Sequence, residues 1–482
     1  MVGHQETISF SKYSELYDML VPKSNTLRKI NDLVDFSFIY EELSSKYCSN
    51  NGRMAYSPIR LFKYLLLKTI FDISDVDVVE RSRYDLSFKY FLDMTIEEPV
   101  IDASTLTKFR KLRLEDTNLL ELLISKSVAL AVAKGIIKSD SIIVDATHTQ
   151  SRSNSTSAIE FLRYRSKNLR KVIYETDANL KDQLPAKNTD DSVENEMTYC
   201  KELLDCLEER QTISSLPKVS EKINVLKEAL EDVQEQRDLS KDQDARIGYK
   251  SKEESFLGYK THIAMSKERI ITAAVVTSGE KGDGPVLPTL IEESIKNGMT
   301  VKSVIGDRAY SGKDNLIYAK ENKIKVISKV NPVISQGARK KEDQFDFNKD
   351  ADMFVCPAGH LAIRKATQGK KGDNVNQVKT YYFDVEKCKQ CPLREGCYKP
   401  GAKTKSYSVS ISSQTHLDQI AFEQTQEFKE QSKHRYKIEA KNAELKNVHG
   451  YDTAISYGLT SMQMQGALAI FTVNLKRILK LL

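Results

Sequence analysis

The chain has no apolar run long enough to span a bilayer, and its start, MVGHQETISF, lacks the apolar core of a secretion signal. The expectation is a cytoplasmic protein. Cysteine is scarce: seven residues, an odd number with no secretory context, which argues against a disulfide framework. Neither sign of charge dominates, since 73 Lys and Arg stand against 67 Asp and Glu and leave +6. That balance permits nucleic-acid binding without demanding it. What is present is 40% apolar and 29% charged residues over 482 positions. This is a soluble globular composition, long enough for roughly two to four domains and a large core.

Residues 1–135 read as helical. Ser57-Pro58 opens a helix with Ile59, Leu61, Phe62, Leu65, Leu66 and Ile70 inward, Ser57 as N-cap and Pro58 at the first position. Ser74 and Asp77 form a capping-box pair. Ser104 caps a further helix, with Phe109 and Leu112 inward and Lys108, Arg110, Lys111 and Arg113 displayed. Short helices with basic faces suit a helix-turn-helix-like DNA-binding unit, and equally a bundle with solvated charges. Residues 136–334 read as a mixed α/β core with the order strand, inserted helices, strand, strand, helix, strand, helix, strand. The insertion, about 156–240, shows apolar residues at helical spacing on either side of Pro185, which predicts an antiparallel helical hairpin. Residues 335–410 break the pattern with basic groups (Arg339-Lys340-Lys341, Arg364-Lys365, Lys370-Lys371) and four cysteines, and could track a DNA backbone. Residues 411–482 return to helix, first about Leu417–Val448, then about Ser461–Leu482.

Two apolar strands end in aspartate: Ser141-Ile-Ile-Val-Asp145 and Val301 to Gly306-Asp307. A late polar helix carries Arg435, Glu439, Asn442 and Lys446 at offsets of 4, 3 and 4, so the four share one face, with Ile438, Leu445 and Val448 on the core side. Asp145, Asp307 and Glu439 therefore come from three distant segments. Hard oxygen ligands on rigid elements are what two divalent metals need to cut and join phosphodiesters. Arg435 and Lys446 would hold phosphates. Each piece also has a plain reading: a strand-end Asp forms turns or caps helices, and a Lys/Glu-rich helix shows such spacings by chance. Arg308 beside Asp307 fits a plain turn less well. Lys260 and His262 alternate onto one strand face, toward the site or toward water.

Taken together these pieces resemble the DDE transposases of bacterial insertion sequences. The matching segments are Ile143-Val-Asp-Ala-Thr147, Phe256-Leu-Gly-Tyr-Lys-Thr-His262, Gly306-Asp-Arg-Ala-Tyr310 and Lys437 to Gly450 (KIEAKNAELKNVHG). The segment from Gly466 to Arg477 is similar to the family's closing helix, and Ser57 to Arg113 to its helical DNA-binding region. The resemblance implies an RNase H-like α/β fold and a metal-binding triad of Asp145, Asp307 and Glu439 with Mg²⁺ or Mn²⁺. It also implies the pattern Tyr-x2-Arg-x3-Glu-x6-Lys. Here the chain departs from the family: Ser432 stands at the tyrosine position, and Tyr436 faces elsewhere. The implied activity is cut-and-paste transposition of an element bounded by terminal inverted repeats. The implied state is a nucleoid-associated homodimer that holds two DNA ends. The rivals are a nuclease of the same fold that cuts without joining, and a DNA-binding regulator whose site has decayed. Intact carboxylates speak against the second.

Cys388-x2-Cys391 has zinc-knuckle spacing, and Cys356 and Cys397 can complete four ligands, with His360 as an alternative donor. The other reading is four reduced, partly buried thiols. Cys48, Cys200 and Cys206 read as structural.

Overall fold

The structure, a computed structural model, describes residues 13, 15–48, 55–152, 157–177, 180–181, 183–234, 242–249, 254–331, 345–348, 351, 353–368, 378–410 and 414–482. The basic groups at 339–341 and 370–371 lie outside the described residues.

Short helices fill the N-terminal region, the longest being Pro58–Phe71 and Leu119–Ala133. Ser74 and Asp77 form the expected capping box. Two other caps differ. The Ser57 side chain makes no cap bond, leaving Pro58 to set the first turn. Asp102, not Ser104, caps Ala103–Phe109 by accepting from the Ser104 amide. Beyond Phe109 the helix widens into a π-turn over Arg110–Leu114. The extra residue per turn swings Leu112 out to 64% exposure and buries Leu114 instead. Arg110 is not free for a ligand, since it pairs with Asp75.

Six strands form the main sheet: β1 (Ser141–Gln150), β2 (Arg246–Tyr249), β3 (Ser255–Ser266), β4 (Ile271–Ser278), β5 (Ser303–Ile305) and β6 (Lys325–Ile327). β3 pairs antiparallel with β1 on one side. On its other side, β2 takes the first part and β4 the rest. β5 runs parallel to β1, and β6 parallel to β5. The order is therefore β4-β3-β1-β5-β6, with β2 extending the β4 edge. The helices Leu287–Lys296 and Lys313–Glu321 lead into β5 and β6, as parallel neighbours need crossover connections.

β1 does not end at Asp145. Its polar half, Asp145 to Gln150, continues to pair with β3, Asp145 opposite Ile263 and Gln150 opposite Gly258. Strand alternation sorts its residues. Ile143 joins a core built from the N-terminal helices and the last helix, Leu459–Leu481. Ile142 and Val144 join a second core, with Leu287, Leu290 and Tyr310.

The expected helical hairpin is instead three long helices, Ala158–Thr176, Val193–Glu208 and Pro217–Gln234, around their own core. The additional break falls at Leu216-Pro217, where Pro217 starts the third helix. The 335–410 segment holds β7 (Asp346–Asn348) paired with β8 (Met353–Val355), and a three-stranded sheet of β9 (Arg364–Gln368), β10 (Val378–Phe383) and β11 (Lys405–Ser410). The helix expected over Leu417–Val448 is three pieces, Gln414–Glu423, Gln426–Ser432 and Tyr436–His449, the last two joined by a 3-10 turn. Gly450 closes the last piece at φ 60, a left-handed conformation that glycine adopts without strain. Among the described residues no helix is long and apolar enough to cross a membrane.

Candidate active site

Asp145 and Asp307 arrive on neighbouring parallel strands. Ile143 pairs with Ile305, so two residues further on Asp145 and Asp307 stand at the same level. Asp307 lies beyond the end of β5, where it caps a 3-10 turn, Arg308–Ser311, by accepting from the Ala309 amide at 2.9 Å. The plain role of a turn-capping aspartate is thus filled, and one carboxylate oxygen is left over. Gly306 lets the turn close, since a Cβ there would lie 2.7 Å from the Tyr310 ring and 2.9 Å from Val144.

The helix Tyr436–His449 packs Ile438 and Leu445 into the same core as Ile143, so it lies on the sheet face that carries Asp145. His449 ties it to the N-terminal region through a 2.9 Å bond between Nδ1 and the Thr69 carbonyl. Asn442 donates to Asp145 Oδ2 at 3.0 Å. One turn on, Lys446 Nζ lies 3.3 Å from His148 of β1. Arg435 stands 3.6 Å from Glu439, and its charge reaches Asp145. The four-residue face read from spacing is therefore turned to β1. Flanking that face, not opposite it, are the buried Ile438, Lys441, Leu445 and His449; Val448 is 48% exposed and does not belong with them. Lys441 is buried by pairing with Glu444 at 2.7 Å. That pair also turns Glu444 away from β1. Glu439 itself is exposed, and Asn442 occupies the place against Asp145. Among the described residues no three Asp, Glu, His or Cys side chains already form a metal cage.

The electrostatics mark this spot. Burial first, and then the negative charges of Asp307 and Asp283, push the Asp145 carboxyl up to about 6 against the pull of the Ala146 amide and Arg435. Tyr310, 1% exposed, has a hydroxyl with no hydrogen-bond partner among the described residues. Burial and the charges of Asp283, Asp145 and Asp307 raise it well above an ordinary tyrosine.

Asp283 is an acid that the sequence reading missed. It sits in the glycine-rich turn after β4, and Gly284 presses on the Asp307 turn: a Cβ there would lie 2.6 Å from the Ala309 carbonyl. Lys260 pairs with Asp283 at 3.1 Å, and His262 Nδ1 lies 3.6 Å from it. Lys260 and His262 stand opposite His148 and Ala146, on the sheet face away from Asp145. Lys260 supplies the counter-charge to Asp283, and the neutral His262 lies beside it. Arg308 is exposed.

A family model described as "Transposase domain (DUF772)" matches residues 15–112, and one described as "Transposase DDE domain" matches residues 355–479. The chain is a DDE transposase. No match was found among curated proteins. The second match contains Arg435, Glu439, Lys446 and the four clustered cysteines of the transposase. Asp145 and Asp307 fall between the two matched spans, so their assignment rests on geometry. Transposases cleave and join nucleic acid, so this chain is an enzyme that acts on DNA.

Cys356, Cys388, Cys391 and Cys397 line one cavity together with His360 and Phe383. Burial first, then the nearby Cys397 and Cys356 thiols, push the Cys388 thiol up.

Proposed function

We propose that this transposase catalyses cut-and-paste transposition through an RNase H-like core, with Asp145, Asp307 and Glu439 as ligands for Mg²⁺ or Mn²⁺. The observation that carries the reading is the level placement of Asp145 and Asp307 on parallel neighbours, with the Arg435-Glu439-Asn442-Lys446 face turned toward β1. The sheet order β4-β3-β1-β5-β6, three antiparallel strands and then two parallel, supports the RNase H-like assignment. The donor set fits a hard divalent cation. Three aspartates crowd near the Tyr310 hydroxyl, which has no hydrogen-bond partner among the described residues, and burial first, then their repulsion, raises Asp145. A cation there relieves that repulsion. When bound, such metals polarise the phosphoryl group and activate water, or a DNA 3′-hydroxyl, for in-line attack.

The protein's own groups do the rest. Asn442 fixes the orientation of the Asp145 carboxylate. Arg435 and Lys446 bracket Glu439 on the helix face and hold the phosphates on either side of the scissile bond. Glu439, exposed beside Arg435, would be the third carboxylate ligand. The N-terminal helices and the 335–410 segment bind the terminal inverted repeats, and a homodimer holds the two ends. Incubation with a labelled terminal-repeat duplex, target plasmid and Mg²⁺ tests this. The expected product is a joined strand, absent with chelator. Nicked or cut DNA that never joins assigns a nuclease instead.

A further inference from the structure

We propose that Cys356, Cys388, Cys391 and Cys397 bind one structural zinc ion that holds the 335–410 segment together. Three observations converge. The first is geometric: four thiols from two stretches of chain rim a single cavity of about 60 Å³, the space of a few waters, enough for an ion with its ligands drawn in. As placed, the sulfurs stand around the void without yet forming a cage. None is in a disulfide.

The second is the local backbone. Cys356 begins a tight turn in which its amide donates to the His360 carbonyl at 2.9 Å and its carbonyl accepts from Gly359 at 2.8 Å. Gly359 sits at φ 83, a conformation that favours glycine. This folds the His360 amide back onto Cys356 Sγ at 3.3 Å. An N–H aimed at sulfur stabilises the thiolate, the form that binds metal. Cys388 and Cys391 form a second turn, the Cys391 amide reaching the Cys388 carbonyl, and Cys397 follows within the same run. Two such turns facing one void are the usual framework of a closed four-thiolate site.

The third is the weakness of the alternative support. Among the described residues of this segment, the buried core cluster is only Ala362, Tyr381, Phe383 and Tyr407, with Cys356 and Cys388 among the partly buried residues packed against it. A unit with so small a core is commonly held by a metal or a disulfide. Four soft thiolates in tetrahedral arrangement select zinc over the hard cations that the carboxylates would hold. Binding replaces the four S–H bonds by four S–Zn bonds and releases the thiol protons to solvent.

Elemental analysis of the full-length protein, purified without chelator, should find about one zinc per chain. Titration with a mercurial, read by a chromogenic chelator, should release that zinc as the clustered thiols react. The variant Cys391→Ser should lose the zinc. Cys391→His, which restores a donor, should retain it, and so should Cys48→Ser. The claim is overturned by wild-type protein without zinc whose clustered thiols react freely. Iron in place of zinc, or zinc unchanged in Cys391→Ser, overturns it equally. These readouts need no transposition, so a failure here leaves the carboxylate assignment standing, and the reverse.

Discussion

The sheet that carries Asp145 and Asp307 and the segment that carries the cysteines are held by different means. The sheet packs one face into a large core with helices from Leu27 to Ile478 and the other into a second core, so burial on both faces holds its strands. One polar group inside that core is matched in full. Asn474, fully buried, accepts from the Ile271 amide at 2.8 Å, donates to the Ile271 carbonyl at 2.9 Å and donates to Ser127 at 3.0 Å. It clips β4 to the last helix and to Leu119–Ala133. The cysteine segment has a small core of its own and must gain rigidity from its thiols. The contrast is instructive for chemistry as well as stability. A scaffold fixed by burial can hold like charges together, as it does for Asp145, Asp283 and Asp307.

The largest expected effect is on that charge cluster. Asp307→Asn keeps the cap bond to Ala309 and removes the negative charge. Strand transfer should fall by about 10³-fold or more, the equivalent of several kcal/mol of lost transition-state stabilisation, while the unfolding midpoint holds. Near wild-type joining by this variant would remove Asp307 from the site. Next comes the clip. Asn474→Ala leaves both backbone groups of Ile271 unpaired in the core, at about 2–4 kcal/mol in total. A denaturant titration should show that loss, with zinc content unaltered. A loss of zinc along with stability would mean that the two regions are not held separately.

The third effect is on pH dependence. Burial, with Lys260 nearby and against the pull of Asp283, lowers His262 to about 4. Its folded pKa is below the unfolded one, so its contribution to stability is present above about pH 6.5 and is lost as pH falls through 6.5 toward 4. Wild type should lose up to about 3 kcal/mol more over that window than His262→Gln. His416, His434 and His449 are also lowered by burial, so the difference between the two proteins is the quantity to read. Identical slopes would contradict a neutral buried His262. The smallest effect belongs to Lys446→Ala. Loss of one phosphate contact should make the salt dependence of end binding shallower by about one unit, with reduced joining. An unchanged slope and rate would return Lys446 to the solvent face.

The helix face was legible because it resides in side chains spaced along a regular element: the offsets from Arg435 to Lys446 fix a face wherever that helix packs. The lengths of elements were less legible. Asp-Ala-Thr-His-Thr-Gln after Val144 looks like the end of a strand, yet Thr147 and Thr149 are buried, and Thr149 bonds the Tyr451 carbonyl at 2.9 Å. Its pairing with β3 and its contact with the closing chain, both far along the sequence, make that polar half a strand. Asp283 was hidden in a turn rich in glycine and charge, where an acid normally faces water. Nothing local announces that Gly284 packs against the Ala309 carbonyl. Lys441 misleads in the same way, since its burial depends on Glu444 as partner. Asp145 and Asp307, by contrast, could be paired from sequence, because apolar parallel strands put their following residues at one edge.

The most direct test is Glu439→Gln beside Glu444→Gln, each measured for binding to the terminal repeat by band shift and for joining in Mg²⁺. The account predicts that Glu439→Gln binds the end as wild type does and yields no cut or joined product. Glu444→Gln, which loses only the Lys441 pair, should still join. Joining by Glu439→Gln at the wild-type rate, with activity lost in Glu444→Gln despite intact folding, would contradict it and move the third carboxylate to Glu444.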